Sequence, residues 1–331
     1  MTYILVDTQN MFFRARHVSG RASSLDEKIG LAFHIMFNSV KKAHQMFNSG
    51  HVVFCMEGRS WRKDVYQPYK KNRKVVLDKR SIKEQEEDDF WWEAYDDFLK
   101  YIAEQTNCSA IRSSIAEADD CIALWIEAHK DSRNIIVSTD SDFYQLVNPL
   151  VSIYNGMTNQ IVTSSGYYDE KDNPIIDKKT KQPKLAPNPE YMLFEKCIRG
   201  DSSDNVFSAY PGVRATKIKE SFNDRENQGF TWNNFMLARW TDHNGEEYRV
   251  KDCYERNKQL IDLTCQPDEV KVDVLKSVAE SQNAKHIEQV GVRFMKFCNK
   301  YGLTKLADNP TDHAKYLNCL LYTSDAADEF M

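Results

Sequence analysis

Residues 3 to 7, Tyr3-Ile4-Leu5-Val6-Asp7, form a short apolar run that ends on an acid. A run of this length with β-branched residues is typical of a strand that is buried in a sheet. Two later runs have the same form, since residues 52–56 precede Glu57 and residues 135–139 precede Asp140. Three predicted strands therefore end next to a carboxylate.

Helical patterns over residues 26–47 and 116–129 separate these runs. Strands that alternate with helices predict an α/β fold around a central, mainly parallel sheet. In such a sheet, ligands bind beyond the carboxyl ends of the strands. The three strand-end acids are therefore predicted to lie where an α/β protein usually carries its chemistry.

Three acidic segments accompany the strand-end acids: Glu117-Ala118-Asp119-Asp120, Asp140-Ser141-Asp142 and, after Gly200, Asp201-Ser202-Ser203-Asp204. Each segment alone has an ordinary structural explanation. Ser114 and Glu117 fit a capping box, and the other acids suit a loop cap or a turn. Only their combination favours a functional site.

Together with Asp7 and Glu57, these segments predict nine carboxylates at one edge of the sheet. In a partly buried site they would repel one another by several kcal/mol unless cations compensated them. Oxygen ligands without His or Cys suit Mg²⁺ or Mn²⁺, and two such ions about 4 Å apart promote phosphodiester hydrolysis. The candidate metal ligands are Asp7, Glu57, Glu117, Asp119, Asp120, Asp140, Asp142, Asp201 and Asp204.

Composition narrows the class of protein. The 331 residues favour two domains, and no apolar run approaches the roughly 18 residues of a membrane span. The start lacks a basic segment followed by an apolar stretch, so we expect a cytoplasmic protein. Eight scattered cysteines without a Cys-x-x-Cys pair indicate reduced packing residues rather than zinc ligands or disulfides.

Charge is distributed unevenly along the chain, whose formal net charge is −5. Residues 59–83 hold ten Lys or Arg and two acids, whereas residues 84–97 hold eight acids and no Lys or Arg. Cations and aromatic rings are interleaved over residues 61–74. This mixture suits phosphate binding with base stacking on unpaired nucleotides, and a solvated basic face is the alternative.

We predict a catalytic domain over residues 1–188, in which residues 59–106 form an excursion over the sheet edge. A polar segment before Pro189 is expected to be a hairpin or loop, and residues 189–318 are expected to form a largely helical domain. Residues 319–331 resemble the translation of a sequencing adapter. On that interpretation they are non-native and the natural C-terminus is missing.

The motifs occur in the order found in the flap endonuclease and 5′-3′ exonuclease family, and the chain resembles that family over roughly residues 3–220. Within the family, the motifs are most similar to the ribonuclease H branch of T-even bacteriophages. The matching segments are Ile4-Leu5-Val6-Asp7, Tyr69-Lys70-Lys71-Asn72-Arg73, Glu117-Ala118-Asp119-Asp120, Ser138-Thr139-Asp140-Ser141-Asp142-Phe143 and Gly200-Asp201-Ser202-Ser203-Asp204-Asn205. The resemblance implies that the nine acids named above hold two or more Mg²⁺ or Mn²⁺ ions.

Two positions depart from the family pattern. Glu57 stands where the family usually has Asp, so its metal contact is expected to be shifted or made through water. Arg214 stands where the family has the second glycine of a Gly-x-Gly turn that begins with Gly212. The resemblance implies a helix-three-turn-helix-like DNA-binding element here, with K⁺ as its candidate cation.

The resemblance also implies roles for basic and aromatic residues. Lys70 and Arg73 would lie on a helical arch, from which a cation stabilises the negative charge that develops on the scissile phosphate. The candidate nucleic-acid contacts are Arg62, Tyr66, Tyr69, Lys71, Gly212, Arg214 and Lys217. Lys219 is a further candidate.

The predicted function is metal-dependent cleavage of phosphodiesters near the 5′ ends of branched or RNA-primed DNA, in phage replication. The resemblance implies substrates with flaps, nicks, forks or RNA primers, and a monomer in an infected bacterial cell that works with a single-strand-binding protein and a sliding clamp. The alternatives are a PIN-type endoribonuclease and a catalytically inactive, structure-specific DNA-binding protein. A dehalogenase-type phosphatase is disfavoured because Asp7-Thr8-Gln9 lacks a second acid.

Overall fold

The computed structural model describes residues 1–78, 80–284 and 286–319. Its centre is a sheet of seven strands: β1 (Thr2–Asp7), β2 (His51–Met56), β3 (Ser109–Arg112), β4 (Arg133–Val137), β5 (Val151–Asn155), β6 (Gln160–Thr163) and β7 (Gly166–Tyr168). The strands lie in the order β3-β2-β1-β4-β5-β6-β7. The five strands β3, β2, β1, β4 and β5 are parallel to one another. β6 and β7 pair antiparallel and form one edge of the sheet. The predicted α/β class is confirmed.

Side chains alternate between the two faces of the sheet, as strand geometry requires. Along β1, Ile4 and Val6 enter one buried layer, whereas Tyr3 and Leu5 enter the other. Helices cover both layers and so keep the parallel strands away from water. The helices that precede residue 189 are α1 (Thr8–Ser19), α2 (Leu25–Phe47), α3 (Arg62–Val65), α4 (Lys71–Leu77), α5 (Ile82–Gln105) and α6 (Ala118–Ala128).

The segment predicted as an arch is only partly an excursion. α5 begins at a capping box in which Ser81 accepts from the Glu84 N–H. From Trp91 onwards, its large apolar side chains other than Trp92 are buried in the layer that also holds α1 and α2. Aromatic residues at helical spacing made this helix part of the core, so the stretch that crosses the sheet edge is confined to residues 59–81.

The chain beyond the sheet continues with α7 (Pro189–Arg199), α8 (Ala215–Asn223), α9 (Phe230–Leu237), β8 (Arg239–Thr241), β9 (Glu247–Arg249), α10 (Val250–Ile261), α11 (Asp268–Gln282), α12 (Val290–Lys300), α13 (Thr304–Ala307) and α14 (Pro310–Leu317). α7 to α10 build a separate apolar cluster that includes Phe194, Phe222 and Phe235. β8 and β9 form a small hairpin between them. None of the described helices combines the length and apolar character needed to cross a membrane.

Residues 189–318 do not pack as one helical unit, in contrast to the predicted division. α11 returns to the sheet and packs against β3 and α6. α12 inserts Phe294 and Phe297 into the layer of α2 and α5, and α14 adds Tyr316. The apolar stripe of α12 matches the aromatic surface of these two helices, and its burial explains the return.

The suspected adapter-derived tail lies outside the described residues, except for its first residue. The carbonyl oxygen of Cys319 accepts a hydrogen bond of 2.8 Å from Nδ1 of His51. Nε2 of the same ring accepts from the Ser109 N–H. Residue 319 is therefore held at the sheet, and the origin of residues 320–331 stays a prediction.

Candidate active site

Four carboxylates surround one cavity at the carboxyl edge of the sheet. Asp7 ends β1, Glu57 follows β2, Asp140 follows β4, and Asp119 lies in the first turn of α6. The cavity has a volume of about 330 Å³, and Lys70 and Arg73 also line it. We call Asp7, Glu57, Asp119 and Asp140 the inner carboxylates.

The inner carboxylates that make hydrogen bonds in the described residues accept them from neutral groups. Asp7 accepts from the Ser138 hydroxyl at 2.8 Å and from the Asn10 N–H at 3.2 Å. Glu57 accepts from the Ala118 N–H at 2.9 Å, at the N-terminus of α6. These bonds orient the carboxylates without supplying the positive charge that their ionised forms need.

The pKa values of this group are displaced upwards. Burial raises the pKa of Asp7 to about 6, and nearby Asp140 adds to the effect. Burial and the charge of Glu117 raise the pKa of Glu57 to about 7. Burial, followed by Asp7 and Asp140, also raises the pKa of Asp119. Ionisation of the group is therefore costly until a cation compensates it.

Four further carboxylates, Glu117, Asp142, Asp201 and Asp204, lie beside lysines, and we call them the outer carboxylates. The Lys70 ammonium contacts Glu117 and lies 3.7 Å from Asp204. The Lys196 ammonium, on α7, contacts Asp142 and lies 2.8 Å from Asp201. Each lysine therefore bridges two acids that come from different parts of the chain.

The lysines change the ionisation of their partners. Burial alone would raise the pKa of Glu117, but Lys70 and Arg62 outweigh it and lower the value to about 2. Lys196 and Ser203 likewise outweigh burial at Asp201 and lower its pKa to about 2. At Asp142, burial and Asp140 exceed the effect of Lys196 and raise the pKa to about 6.

The loop that carries Asp201 and Asp204 has a fixed shape. Asp201 and Val206 exchange backbone hydrogen bonds of 2.8 and 2.7 Å. Gly200 precedes them with a φ of 75°, and a Cβ atom there would lie 2.4 Å from the Val206 carbonyl oxygen. Only glycine fits this position, since both the left-handed backbone and the close contact exclude a side chain.

Asp120 is engaged differently from its predicted role as a metal ligand. It is fully buried, and its two oxygens accept bonds of 2.8 Å each from the two terminal nitrogens of Arg62. Trp61 and the Glu117 N–H add further bonds to the same carboxylate. With both oxygens occupied, Asp120 serves as the partner of a buried arginine, and its assignment as a metal ligand is not supported.

Arg62 and Tyr69 were predicted to contact nucleic acid, but they face the protein interior. Arg62 is 2% exposed, and its Nε donates to the Leu260 carbonyl at 2.7 Å. Tyr69 is 4% exposed, and its hydroxyl lies 2.9 Å from both Glu117 and Asp204. These predictions are wrong for the described structure, because both side chains brace the outer carboxylates instead.

The other predicted residues of the arch remain accessible. Tyr66 is half-buried under the guanidinium of Arg256, which lies 5.0 Å from the ring centre. Lys71 and Arg73 are exposed on α4, and Arg73 donates to Asp204 at 2.6 Å. Lys70 has a φ of 54°, and its N–H donates to the Asp204 carbonyl at 2.8 Å.

The predicted duplex contacts cluster where α8 begins. Gly212 and Arg214 are exposed on the connection that joins α7 to α8, and Lys217 is exposed in the first turn of α8. Gly212 has a φ of 70°, whereas Arg214 has an ordinary extended backbone with a φ of −73°. The second family glycine is therefore dispensable in this chain, since the backbone at residue 214 accepts any side chain.

Within the described residues, no group of three or more acidic, His or Cys side chains already converges closely enough to hold one metal ion. Among the outer carboxylates, the ammonium groups of Lys70 and Lys196 lie between the acids. Sequence reasoning missed Lys196 entirely. It lies inside an amphipathic helix and belongs to no motif, and only its spacing of five residues from Asp201 hinted at a shared site.

Comparison with models of protein families shows the family of the chain. The model of the 5′-3′ exonuclease N-terminal resolvase-like domain matches residues 2–175, which is more than half of the chain. The chain belongs to the 5′-3′ exonuclease family. In this family member, the matched segment holds the sheet and all the acids described above except Asp201 and Asp204.

Relatives of this exonuclease-family chain include two bacterial proteins. The flap endonuclease Xni of Shewanella loihica is 27% identical over 165 residues, which are 49% of this chain and 58% of that protein. The 5′-3′ exonuclease of Bacillus subtilis is 28% identical over 190 residues, or 54% of this chain and 53% of that protein. The chain thus spans less than two thirds of the length of these relatives.

Solved structures resemble the fold of this exonuclease-family chain over more than nine tenths of its length. The T5 D15 protein, co-crystallised with metal ions, has a TM-score of 0.57 at 18% identity and covers 92% of this chain and 99% of its own. A complex of the T5 D15 flap endonuclease with DNA and metal ions has a TM-score of 0.57 at 17% identity, over 95% of this chain. At such identity the likeness establishes the fold.

Proposed function

We propose that this chain is a divalent-metal-dependent 5′-nuclease that hydrolyses phosphodiesters near the 5′ ends of branched or RNA-primed DNA, as exonuclease and flap endonuclease. One observation carries the proposal. Four inner carboxylates line a single cavity, and burial raises the pKa values of three of them. This arrangement is costly for folding alone and suits a site that hard cations complete.

The donor set fits Mg²⁺ or Mn²⁺, because carboxylate oxygens without His or Cys are the ligands these ions prefer. The inner carboxylates would hold the ions, with Glu117, Asp142, Asp201 and Asp204 beside them. Bound there, two or more ions would supply a nucleophilic water and stabilise the leaving oxygen. Glu57 reaches the cavity from the position where the family usually has Asp.

The protein's own cations act at the mouth of the cavity. Lys70 and Arg73 line it from the segment before and within α4. A phosphate that enters the cavity would meet these two positive charges, which stabilise negative charge as it develops on the transferring phosphoryl group. Arg62 and Tyr69 keep Glu117 in place and take no direct part.

Duplex DNA would bind through the connection between α7 and α8. Gly212 leaves the backbone open to close approach, and Arg214 and Lys217 present exposed charges next to the N-terminus of α8. K⁺ is the candidate cation in this connection. The T5 complex with DNA supports a nucleic-acid substrate.

The wider setting follows from the family resemblance. We infer a monomer that removes RNA primers and flaps in phage DNA replication, in the cytoplasm of an infected bacterial cell. A single-strand-binding protein and a sliding clamp are its candidate partners. The catalytic domain would comprise residues 1–188 together with the helices that return to the sheet.

A nuclease assay in Mg²⁺ on labelled 5′-flap, nicked and RNA-primed duplexes tests the proposal. We expect cleavage near the junction of single strand and duplex, and none in EDTA. Preference for unstructured single-stranded RNA would favour the PIN-type endoribonuclease. Tight binding of the flap without cutting would favour an inactive DNA-binding protein.

A further inference from the structure

Two lysines occupy equivalent positions among the outer carboxylates. Lys70 bridges Glu117 and Asp204, and Lys196 bridges Asp142 and Asp201. The two lysines come from separate elements, since one precedes α4 and the other lies on α7. In each case, one ammonium group stands between two carboxylates at the edge of the proposed metal site.

Backbone hydrogen bonds tie both lysines to the segment that carries Asp201 and Asp204. Lys70 adopts a left-handed φ of 54°, which is unfavourable for a residue other than glycine and persists at sites where the surroundings enforce it. Its N–H is fixed by the Asp204 carbonyl. The Lys196 carbonyl accepts from the Gly200 N–H at 2.8 Å, which ties the end of α7 to the Asp201 loop.

Arg62 provides the contrast within the same cluster. Its guanidinium is 2% exposed and donates in fixed directions to Asp120, Glu117 and the Leu260 carbonyl. An arginine bound through so many directed hydrogen bonds stays in place. The side chains of Lys70 and Lys196 are 14% and 25% exposed, and a lysine is a point charge on a flexible stem.

We propose that Lys70 and Lys196 are exchangeable counter-ions, which neutralise the outer carboxylates in the metal-free protein and give them up when divalent ions bind. The inference rests on the proposed function, because it assumes the metal site. The four outer carboxylates, whose side chains are between 4% and 17% exposed, would repel one another without compensation. Two ammonium groups keep the cluster folded, and divalent ions replace them with a larger charge.

The exchange also brings the released ammonium group of Lys70 to the place where the substrate would bind. Lys70 lines the same cavity as the inner carboxylates and Arg73. Freed from Glu117, its ammonium group reaches the mouth of the cavity, where a substrate phosphate would arrive. One side chain thus stabilises the empty site and then becomes available to the substrate, so that metal binding prepares the protein for the phosphodiester.

Amine labelling of the wild-type protein tests the exchange directly. Each ammonium group lies between two carboxylates, and the side chains of Lys70 and Lys196 are only 14% and 25% exposed, so both amines should react slowly with an acylating reagent in EDTA. Release from the ion pairs exposes each amine to the reagent and removes the carboxylates that hold its proton. We therefore expect about tenfold faster labelling in Mn²⁺, measured by peptide mass spectrometry.

Lys258, exposed on α10, is the internal control and should label equally under both conditions. Equal labelling of Lys70 and Lys196 with and without Mn²⁺ overturns the proposal. The nuclease assay separates this result from failure of the proposed function. A protein that cuts flaps while both lysines stay protected refutes only the exchange, and one that releases them without cutting refutes only the nuclease activity.

The variant Lys196→Met supplies a second readout, with Lys258→Met as its matched control. We expect Lys196→Met to lose thermal stability in EDTA, to regain it in Mn²⁺, and to bind Mn²⁺ roughly tenfold more tightly by calorimetry, because no ammonium group has to be displaced. An equal loss of Tm with and without Mn²⁺ would make Lys196 a permanent ion-pair partner. If the variant unfolds in both buffers, the wild-type labelling result decides.

Discussion

Glu57 and Glu117 lie on the same edge of the sheet, yet their pKa values shift in opposite directions. The pKa of Glu57 rises to about 7 and that of Glu117 falls to about 2. Both carboxyl groups are shielded from solvent, so burial alone does not explain the contrast. Glu117 lies between Lys70 and Arg62, whereas the hydrogen bond to Glu57 comes from a backbone N–H.

The same difference separates the inner carboxylates from the outer ones. The outer group carries its own cations and is stable as folded, whereas the inner group is held in place without them. A site of this kind holds acids without paired cations at its centre and acids paired with lysines at its rim. If the proposed function is correct, the inner group would set where the divalent ions bind, and the ion pairs of the outer group would set how readily they enter.

The largest effect is expected when an inner carboxylate loses its charge. Asp119→Asn should reduce cleavage of a 5′-flap by about three orders of magnitude, since one metal ligand contributes several kcal/mol to the transition state. DNA affinity in a filter-binding assay should stay within about threefold, because the phosphate contacts lie elsewhere. Asp172→Asn, on an exposed loop, is the control. Near-normal cleavage by Asp119→Asn would remove Asp119 from the site.

Replacing the buried Arg62 should lower the free energy of unfolding rather than the rate of cleavage. Arg62→Met leaves Asp120 and Glu117 without their permanent partner, and removal of one member of a buried ion pair typically costs about 3 to 5 kcal/mol. Urea denaturation measures this change. Arg59→Met removes an exposed arginine that pairs with Asp64 and should cost less than about 1 kcal/mol. Similar losses in the two variants would contradict the structural role of Arg62.

The raised pKa of Glu57 predicts a pH dependence of the metal-free protein. The folded value is about 7 and the ordinary value is 4.5, so the contribution to stability is complete below 4.5 and is lost as pH rises through 7. In EDTA, the Tm of the wild type should therefore fall relative to that of Glu57→Gln over this range. Mg²⁺ should abolish the trend by favouring the ionised carboxylate. A constant difference in Tm across the range would show that the pKa of Glu57 is not raised in the folded protein.

The smallest expected effect concerns the proposed duplex contacts at α8. Lys217→Ala should weaken DNA binding uniformly and reduce the slope of log K against log salt by about 0.9, the value for one phosphate contact on duplex DNA. Fluorescence anisotropy over a series of salt concentrations measures the slope. Lys276→Ala, on α11 at the β3 edge of the sheet, should leave it unchanged. An unchanged slope for Lys217→Ala would place the duplex elsewhere.

The sequence predicted the centre of the sheet better than its edges. β1 and β2 closely match two of the apolar runs, and β4 overlaps the third over residues 135–137, because a strand with two neighbours and two covered faces needs continuous apolar residues. β3, β6 and β7 have three or four residues each and carry polar residues among the apolar ones. Such short segments lack a clear period, so they were not predicted.

Within the site, residue types were easier to predict than side-chain directions. The strand-end acids Asp7 and Glu57 lie at the predicted edge, since strand ends fix their position. Arg62 was predicted to face DNA because its neighbours are basic, yet it turns inward to the Leu260 carbonyl, 198 residues later in the chain. A local pattern holds no information about a partner at that distance.

The return of α12 and α14 to the sheet has a consequence for synthesis of the protein. Phe294, Phe297 and Tyr316 complete the aromatic layer that Phe37 and Phe98 begin. The earlier part of the layer leaves the ribosome almost 200 residues before its cover, and those rings face water in the meantime. A nascent chain that pauses between α10 and α12 would therefore expose a hydrophobic aromatic surface. Chaperones bind surfaces of this kind.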